Sequence, residues 1–319
     1  MSDMTKIREL EYENETSSSM EIITPDPQEY IPLDVPPYID TSNQSEIIAL
    51  HLEAQPPQPL LFIGFKGTGK TLAFAHVAKQ LKIPIIQADL SENTKRGDLI
   101  GRFILRGSDV VYQLGILPSA ILIANKVGKA ILVLEELNAL TPQMQKVLNQ
   151  LLDWRGQVHA PEIGRIFRLK KSCKLLVGAT SNPSNYGGVF EINEDLRSRF
   201  STLWFDYPNK EDELKILQAY NSSDRKLNEL LIRLAVETRK AVSRNEIEYA
   251  LSPRDLVKFT QINEIYKTKF SDEEAFKKTL EIVVLGKYED IDERQLISRR
   301  VESIFGVKIG EELNEPDIN

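Results

Sequence analysis

Leu60-Leu61-Phe62-Ile63 runs directly into Gly64-Phe65-Lys66-Gly67-Thr68-Gly69-Lys70-Thr71, and a helix-compatible stretch, Lys70–Leu81, follows. A short unbroken apolar run that stops at a glycine reads as a buried strand, so the segment is strand, glycine-rich turn and helix. Its eight central residues fit the spacing Gly-x-x-x-x-Gly-Lys-Thr in that context. Each part suits a phosphate chain. The glycines let successive backbone N–H groups face phosphate oxygens, and the helix N-terminus favours an anion. Lys70 neutralises the terminal phosphates, and the Thr71 hydroxyl suits Mg2+. A chance match in an ordinary glycine turn is the competing reading, and the flanking strand and helix weigh against it. Gly64, Phe65, Lys66, Gly67, Thr68, Gly69, Lys70 and Thr71 are therefore the expected nucleotide-binding loop.

Working outward, Ile83–Ala88, Ala130–Leu134, Lys174–Gly178 and Thr202–Phe205 are further buried-strand candidates, separated by helix-compatible sequence such as Pro142–Leu152. Asn43–Glu53 reads as a helix ending before Pro56-Pro57. Strands alternating with helices predict a mostly parallel sheet covered on both faces, a three-layer αβα domain. Two β-hairpins interrupt the alternation: Phe103–Ile116, turning near Gly107-Ser108-Asp109, and Gly156–Leu169, turning near Pro161–Gly164. After Pro208 the strand signals fade. Asp212–Tyr220, Lys226–Val242, Pro253–Tyr266, Asp272–Leu285 and Asp292–Ile304 read as helices, with Ser252 and Ser271 as N-caps. The reading divides the chain into a flexible acidic tail over 1–36, an α/β nucleotide-binding domain over 37–208, a small all-α lid over 209–306 and a C-terminal tail over 307–319.

Two later strands end in polar groups that suit phosphoanhydride hydrolysis. Ile131-Leu132-Val133-Leu134 delivers Glu135 and Glu136. A nucleotide hydrolase needs one carboxylate for hydrated Mg2+ and another for the attacking water, and Glu135 and Glu136 are assigned to those roles in that order. Leu175-Leu176-Val177-Gly178-Ala179-Thr180-Ser181 delivers Asn182, whose amide can reach a γ-phosphate or the water, although Asn182-Pro183 would also suit a plain turn.

Composition narrows the function classes. With 41% hydrophobic and 27% charged residues the chain is globular rather than disordered or collagenous. No apolar run approaches the roughly 20 residues of a membrane span. Asp3 and Glu9 stand where a signal peptide needs a basic end, so a cytoplasmic protein is expected. Cys173 is the only cysteine, which leaves no intrachain disulfide. Of the net charge of −7, the first 40 residues hold ten acids against Lys6 and Arg8. The acidic balance argues against a nucleic-acid-wrapping surface. Trp154, Tyr186 and Trp204 read as packing residues, since none sits in a basic cluster.

The order of these motifs resembles the AAA+ ATPases, and specifically the MoxR group, with hairpins inserted beside the second helix and before the third motif. It is most similar to the CbbQ/NorQ branch. Leu196-Arg197-Ser198-Arg199-Phe200, followed by Phe205-Asp206-Tyr207-Pro208, looks like that branch's arginine pair and Asp-Tyr-Pro ending, and Pro37-Tyr38 looks like its nucleotide-edge segment. The resemblance spans residues 37–265 and implies a homo-oligomer, usually a hexameric ring, with nucleotide between neighbours. It implies that Arg199, with Arg197, reaches an adjacent subunit's γ-phosphate, that Arg254 in Ser252-Pro253-Arg254-Asp255 touches phosphates within its own subunit, and that Tyr38 edges the nucleotide. It further implies a chaperone-like ATPase with ATP and Mg2+, a protein client and a von Willebrand factor A domain partner.

Two positions depart from the family pattern: Glu135 stands where Asp is usual, and Gly115-Ile116-Leu117-Pro118 replaces a Gly-Pro-Leu type sequence. Asn125-Lys126-Val127-Gly128 lacks the guanine-reading aspartate of NKxD GTPases. Asn182-Pro183-Ser184-Asn185 stands where guanine-reading McrB-like relatives carry Asn-Thr-Ala-Asp, so ATP is expected over GTP. Two rival functions stay open at this point. A nucleic-acid motor would be stimulated by DNA, and a slow nucleotide switch limited by Glu135 would show little steady-state turnover.

Overall fold

The computed structural model describes residues 21–183, 190–220, 222 and 224–309. In chain order the strands are Ile22–Ile23 (β1), Leu60–Gly64 (β2), Ile85–Asp89 (β3), Gly101–Arg106 (β4), Asp109–Leu114 (β5), Lys129–Glu135 (β6), Gln157–Ala160 (β7), Arg165–Arg168 (β8), Lys174–Ser181 (β9) and Ser201–Phe205 (β10). Five of them form the central sheet in the order β10-β2-β9-β6-β3, parallel throughout. All five carboxyl ends therefore meet one edge, where ligands bind in open α/β sheets.

The central strands are apolar in unbroken runs because both faces are covered. Along β6, Ile131 and Val133 face the cluster of Ile48, Leu52, Phe74 and Val77, while Ala130, Leu132 and Leu134 face Leu117, Ile121 and Ala124. Helices Gln44–Glu53 and Lys70–Leu81 form the first layer, and helices Ile116–Val127 and Pro142–Leu152 belong to the opposite one. Burying six or seven such side chains contributes roughly 10–20 kcal/mol before chain entropy is subtracted. Both hairpins form, β4 with β5 and β7 with β8, and each is antiparallel.

From Lys210 onward helices Lys210–Ala219, Arg225–Ser243, Pro253–Lys267, Asp272–Thr279 and Ile291–Phe305 surround a separate core that includes Leu217, Leu231, Leu234, Phe259, Leu280 and Tyr288. Ser252 and Ser271 cap their helices by accepting the N–H groups of Asp255 and Glu274. The helix expected through Leu285 ends instead at Thr279 and passes through a π turn, Leu280–Val284, into a tight 3-10 turn, Leu285–Lys287.

Three expectations need correction. Within the segment read as a flexible tail over 1–36, residues 21–36 are built onto the body. Ile22 and Ile23 pair in parallel with Tyr112 and Gln113 of β5, the Tyr112 N–H reaches the Glu21 carbonyl at 3.0 Å, and Pro27 is buried. Pairing satisfies the open edge of β5, and two residues are too few to show a period. In the C-terminal tail over 307–319, Ile309 is buried in the helical core and its carbonyl accepts the Ser298 hydroxyl at 2.7 Å. Residues 1–20 and 310–319 lie outside the described residues. Trp154 and Trp204 are 91% and 66% exposed and so do not pack; Tyr186, Ser184 and Asn185 lie outside the described residues. Among the described residues no helix is long and apolar enough to cross a membrane.

Candidate active site

Lys70 occupies the first turn of its helix and folds back under the loop that precedes it. Its Nζ donates to the carbonyls of Gly64 at 2.7 Å and Phe65 at 2.8 Å, and to Asn182 Oδ1 at 3.3 Å. The loop reaches this shape through left-handed turns at Gly67 (φ 76°) and Gly69 (φ 93°), where a side chain is disfavoured. Gly67 is also pressed against the helical region: an added Cβ would lie 2.4 Å from Ser252 Oγ. Burial first, and then the Arg254 charge, hold the Lys70 ammonium down to about 8, with Glu136 opposing.

Across the loop the ends of β6 and β9 supply oxygen and amide groups. The Thr71 hydroxyl donates to Glu135 Oε2 at 2.7 Å, and Gln87 Nε2 donates to Oε1 at 3.3 Å. Burial pushes the Glu135 carboxyl up, the Thr71 bond pulls it down, and the Asp89 charge raises it again. A hydroxyl and a desolvated carboxylate in contact form a hard-oxygen pair, which fits a small divalent cation that keeps most of its waters. Glu136 has left-handed backbone (φ 53°), its N–H reaches Thr180 Oγ1 at 3.3 Å, and its Oε1 lies 3.5 Å from Asn182 Nδ2.

These groups line one cavity of about 580 Å3. Its walls include Tyr38, residues 66–72, Glu135, Glu136, Thr180, Asn182 and Arg254. Lys66, Lys70 and Arg254 bring cationic groups suited to an anionic ligand into the cavity, and Glu135 and Glu136 bring acidic ones beside them.

An AAA domain of the dynein-related subfamily matches residues 59–200, the stretch from β2 to the start of β10. Among curated relatives, "Protein NorQ" of Paracoccus denitrificans is 27% identical over 225 residues, covering 70% of this chain and 80% of its own. "Denitrification regulatory protein NirQ" of Pseudomonas aeruginosa is 25% identical, covering 62% and 74%. "Aerobic cobaltochelatase subunit CobS" of a Sinorhizobium species is 24% identical, covering 78% and 75%. Residues 59–200 are an AAA domain, and the chain is similar to AAA+ ATPases of the MoxR type.

The AAA+ site does not gather every residue expected from the sequence. Gly64 and Phe65 lie outside the cavity wall: their carbonyls hold Lys70, and the Phe65 ring stacks on Tyr207 with centroids 4.7 Å apart. Arg197 and Arg199 also lie away from it. Arg197 is exposed, and Arg199 Nη2 donates to Asp195 Oδ1 at 3.2 Å.

Sequence reading missed Val257, Lys258 and Gln261, which line the cavity with Arg254. They follow Arg254 at three, four and seven residues, one face of a helix, and that spacing was the available signal. It also missed fully buried Gln145, which donates to the carbonyls of Leu140 and Glu191 and accepts the Asn193 N–H at 2.8 Å. Gln145 thereby ties the segment after Glu136 to the one that leads to Arg199.

Proposed function

We propose that this AAA+ ATPase binds ATP with Mg2+ in the cavity and turns hydrolysis, in a ring of identical subunits, into remodelling of a protein client. In this reading residues 37–208 are the nucleotide-binding domain and 209–306 the lid. What carries it is the convergence of Lys70, Thr71, Glu135, Glu136 and Asn182 at the carboxyl edge of the parallel sheet.

Lys70 Nζ exchanges its longest contact, the one to Asn182 Oδ1, for a phosphoryl oxygen, which leaves the Asn182 amide to face the γ-phosphate. Thr71 Oγ1 and Glu135 would hold Mg2+, partly through water. Bound by them, Mg2+ would supply charge neutralisation for the phosphates. Glu136 Oε1 orients the attacking water and takes its proton, and Asn182 Nδ2 fixes that carboxylate. Arg254 reaches the phosphates from the lid of the same subunit, and Tyr38 edges the nucleotide. Arg199, supported by Arg197, serves the neighbour's γ-phosphate, and its place outside its own subunit's cavity is in keeping with that role. A hexameric, chaperone-like ring with a von Willebrand factor A domain partner extends the same reading and rests on the resemblance in motif order; the relative CobS is named as a subunit of a larger enzyme.

Steady-state hydrolysis and nucleotide titration test it together. Glu136→Gln should keep ATP affinity and lose turnover by about 10² or more, whereas Lys70→Ala should lose affinity first. Parent-rate hydrolysis by Glu136→Gln would refute the assignment.

A further inference from the structure

The helix Arg225–Ser243 holds a polar cluster that the nucleotide chemistry above leaves unused. Arg239 donates through Nη1 and Nη2 to the two carboxylate oxygens of Glu213, at 3.1 and 2.5 Å, and through Nε to the Leu251 carbonyl at 3.2 Å. Its guanidinium carbon lies 4.1 Å from the centroid of the Tyr207 ring. Tyr207 in turn stacks on Phe65 of the phosphate loop, the two planes 7° from parallel. Thr238, the preceding residue, accepts the Leu251 N–H at 3.0 Å while donating to the Ala235 carbonyl at 2.7 Å. Both backbone polar groups of Leu251 are thus gripped by neighbouring residues of one helix. Lys287 Nζ holds the same turn from the other side, at the Ala250 carbonyl (2.9 Å) and Asp255 Oδ2 (2.6 Å). Ser252, pressed against Gly67, and then Arg254 follow Leu251 directly.

Stability alone is a poor reason for this arrangement. The side chains of Glu213 and Arg239 are 1% and 13% exposed, and a buried ion pair is commonly no more stabilising than apolar residues of similar volume. What it provides is directionality. Only a planar guanidinium can pair bidentately, bond a carbonyl and lie against an aromatic face at once.

We propose that Arg239 is a positioning residue that couples the phosphate loop to the lid: through Tyr207 and Phe65 it follows the loop, and through Leu251 it fixes where Arg254 enters the nucleotide cavity. The proposal rests on the reading of Arg254 as a phosphate ligand.

Arg239→Lys in the full chain tests it, because lysine keeps a charge opposite Glu213 and loses the fork and the stack. The probe is methylanthraniloyl-ATP with Mg2+, titrated well below the melting temperature, with thermal melting recorded beside it. Affinity should fall about tenfold in Arg239→Lys, and the double variant Arg239→Lys/Arg254→Ala should bind no more weakly than Arg254→Ala. Tyr207→Leu, which leaves the ion pair intact, should show the same non-additivity and serves if Arg239→Lys fails to fold. Parent affinity with only a lowered melting temperature would mean a purely structural residue and overturn the proposal, as would strictly additive losses. If Arg254→Ala binds like the parent, the phosphate-ligand reading fails and takes the proposal with it. If Arg254→Ala binds weakly while Arg239→Lys binds like the parent, the proposal alone fails.

Discussion

Raising the pH from 7.5 to 9.5 should weaken nucleotide binding and stabilise the free protein, both through Lys70. Burial and the Arg254 charge hold its ammonium down to about 8, against 10.5 for the ordinary side chain. A bound polyphosphate supplies the missing counter-charge and returns the group toward its ordinary value. Between pH 8 and 10.5 the free protein has therefore shed a proton that the complex keeps, so binding takes up a proton and affinity falls as pH rises. Full recovery of the ordinary value in the complex predicts a loss, relative to pH 7.5, of about eightfold at pH 9 and about twentyfold at pH 9.5. Folding has the opposite slope, because over the same window the unfolded chain binds more protons than the native one and native stability increases. The assay is a methylanthraniloyl-ATP titration at constant ionic strength, in a range where the phosphates are already ionised. Lys70→Arg is the control, since a guanidinium does not titrate there and its affinity should be flat. A flat profile for the parent, or an equal slope in Lys70→Arg, would refute the reasoning.

Arg199→Ala should bind ATP yet fail to hydrolyse it, and mixing it with Glu136→Gln subunits should restore part of the activity, because some interfaces then pair an intact Glu136 with an intact Arg199. No recovery in rings shown to be mixed would make the arginine act in its own subunit or not at all. Deleting residues 1–36, which the sequence alone predicts to be harmless, should lower the melting temperature by about 3 °C, the shift expected for loss of ~2 kcal/mol from a chain this size, since β1 and Pro27 go with it. A truncated protein that melts with the parent contradicts the packing of residues 21–36. Gly67→Ala forces a side chain into a left-handed turn and against Ser252, so nucleotide affinity should drop about tenfold or more, read by the same titration; unchanged affinity would mean the loop tolerates another shape.

The legible parts of the fold share a physical cause. The central strands announce themselves because a strand buried on both faces must be apolar at every position, as Leu60–Gly64 and Ala130–Leu134 are. The C-terminal helices are legible through local capping, as Ser252 and Ser271 show. What stayed hidden depends on distant partners. Ile22–Ile23 is a strand only because β5 offers an edge, and neither residue carries a period. Helix Ile116–Val127 is buried nearly all round, so it lacks an amphipathic stripe, and Pro118 looks like a breaker although proline is tolerated in a first turn. Trp204 is exposed because β10 is an edge strand of the central sheet.

The same division runs through the site. Lys70, Thr71 and Asn182 are readable because each sits where a strand or loop delivers it, but the acid pair poses a geometric problem that composition cannot solve. Successive residues of a strand point to opposite faces, so an extended Glu135-Glu136 would send only one carboxylate toward the phosphate loop. The structure avoids this by ending β6 at Glu135 and turning the next residue into left-handed backbone, with φ of 53° at Glu136. That conformation is disfavoured for glutamate and is held by the Glu136 N–H on Thr180 Oγ1 and by the tight turn that follows, Leu137–Ala139. Both carboxylates then line one cavity, Glu135 against Thr71 and Glu136 facing Asn182, so the division of labour proposed for cation and water would follow from one backbone torsion rather than from the two side chains, which are chemically identical.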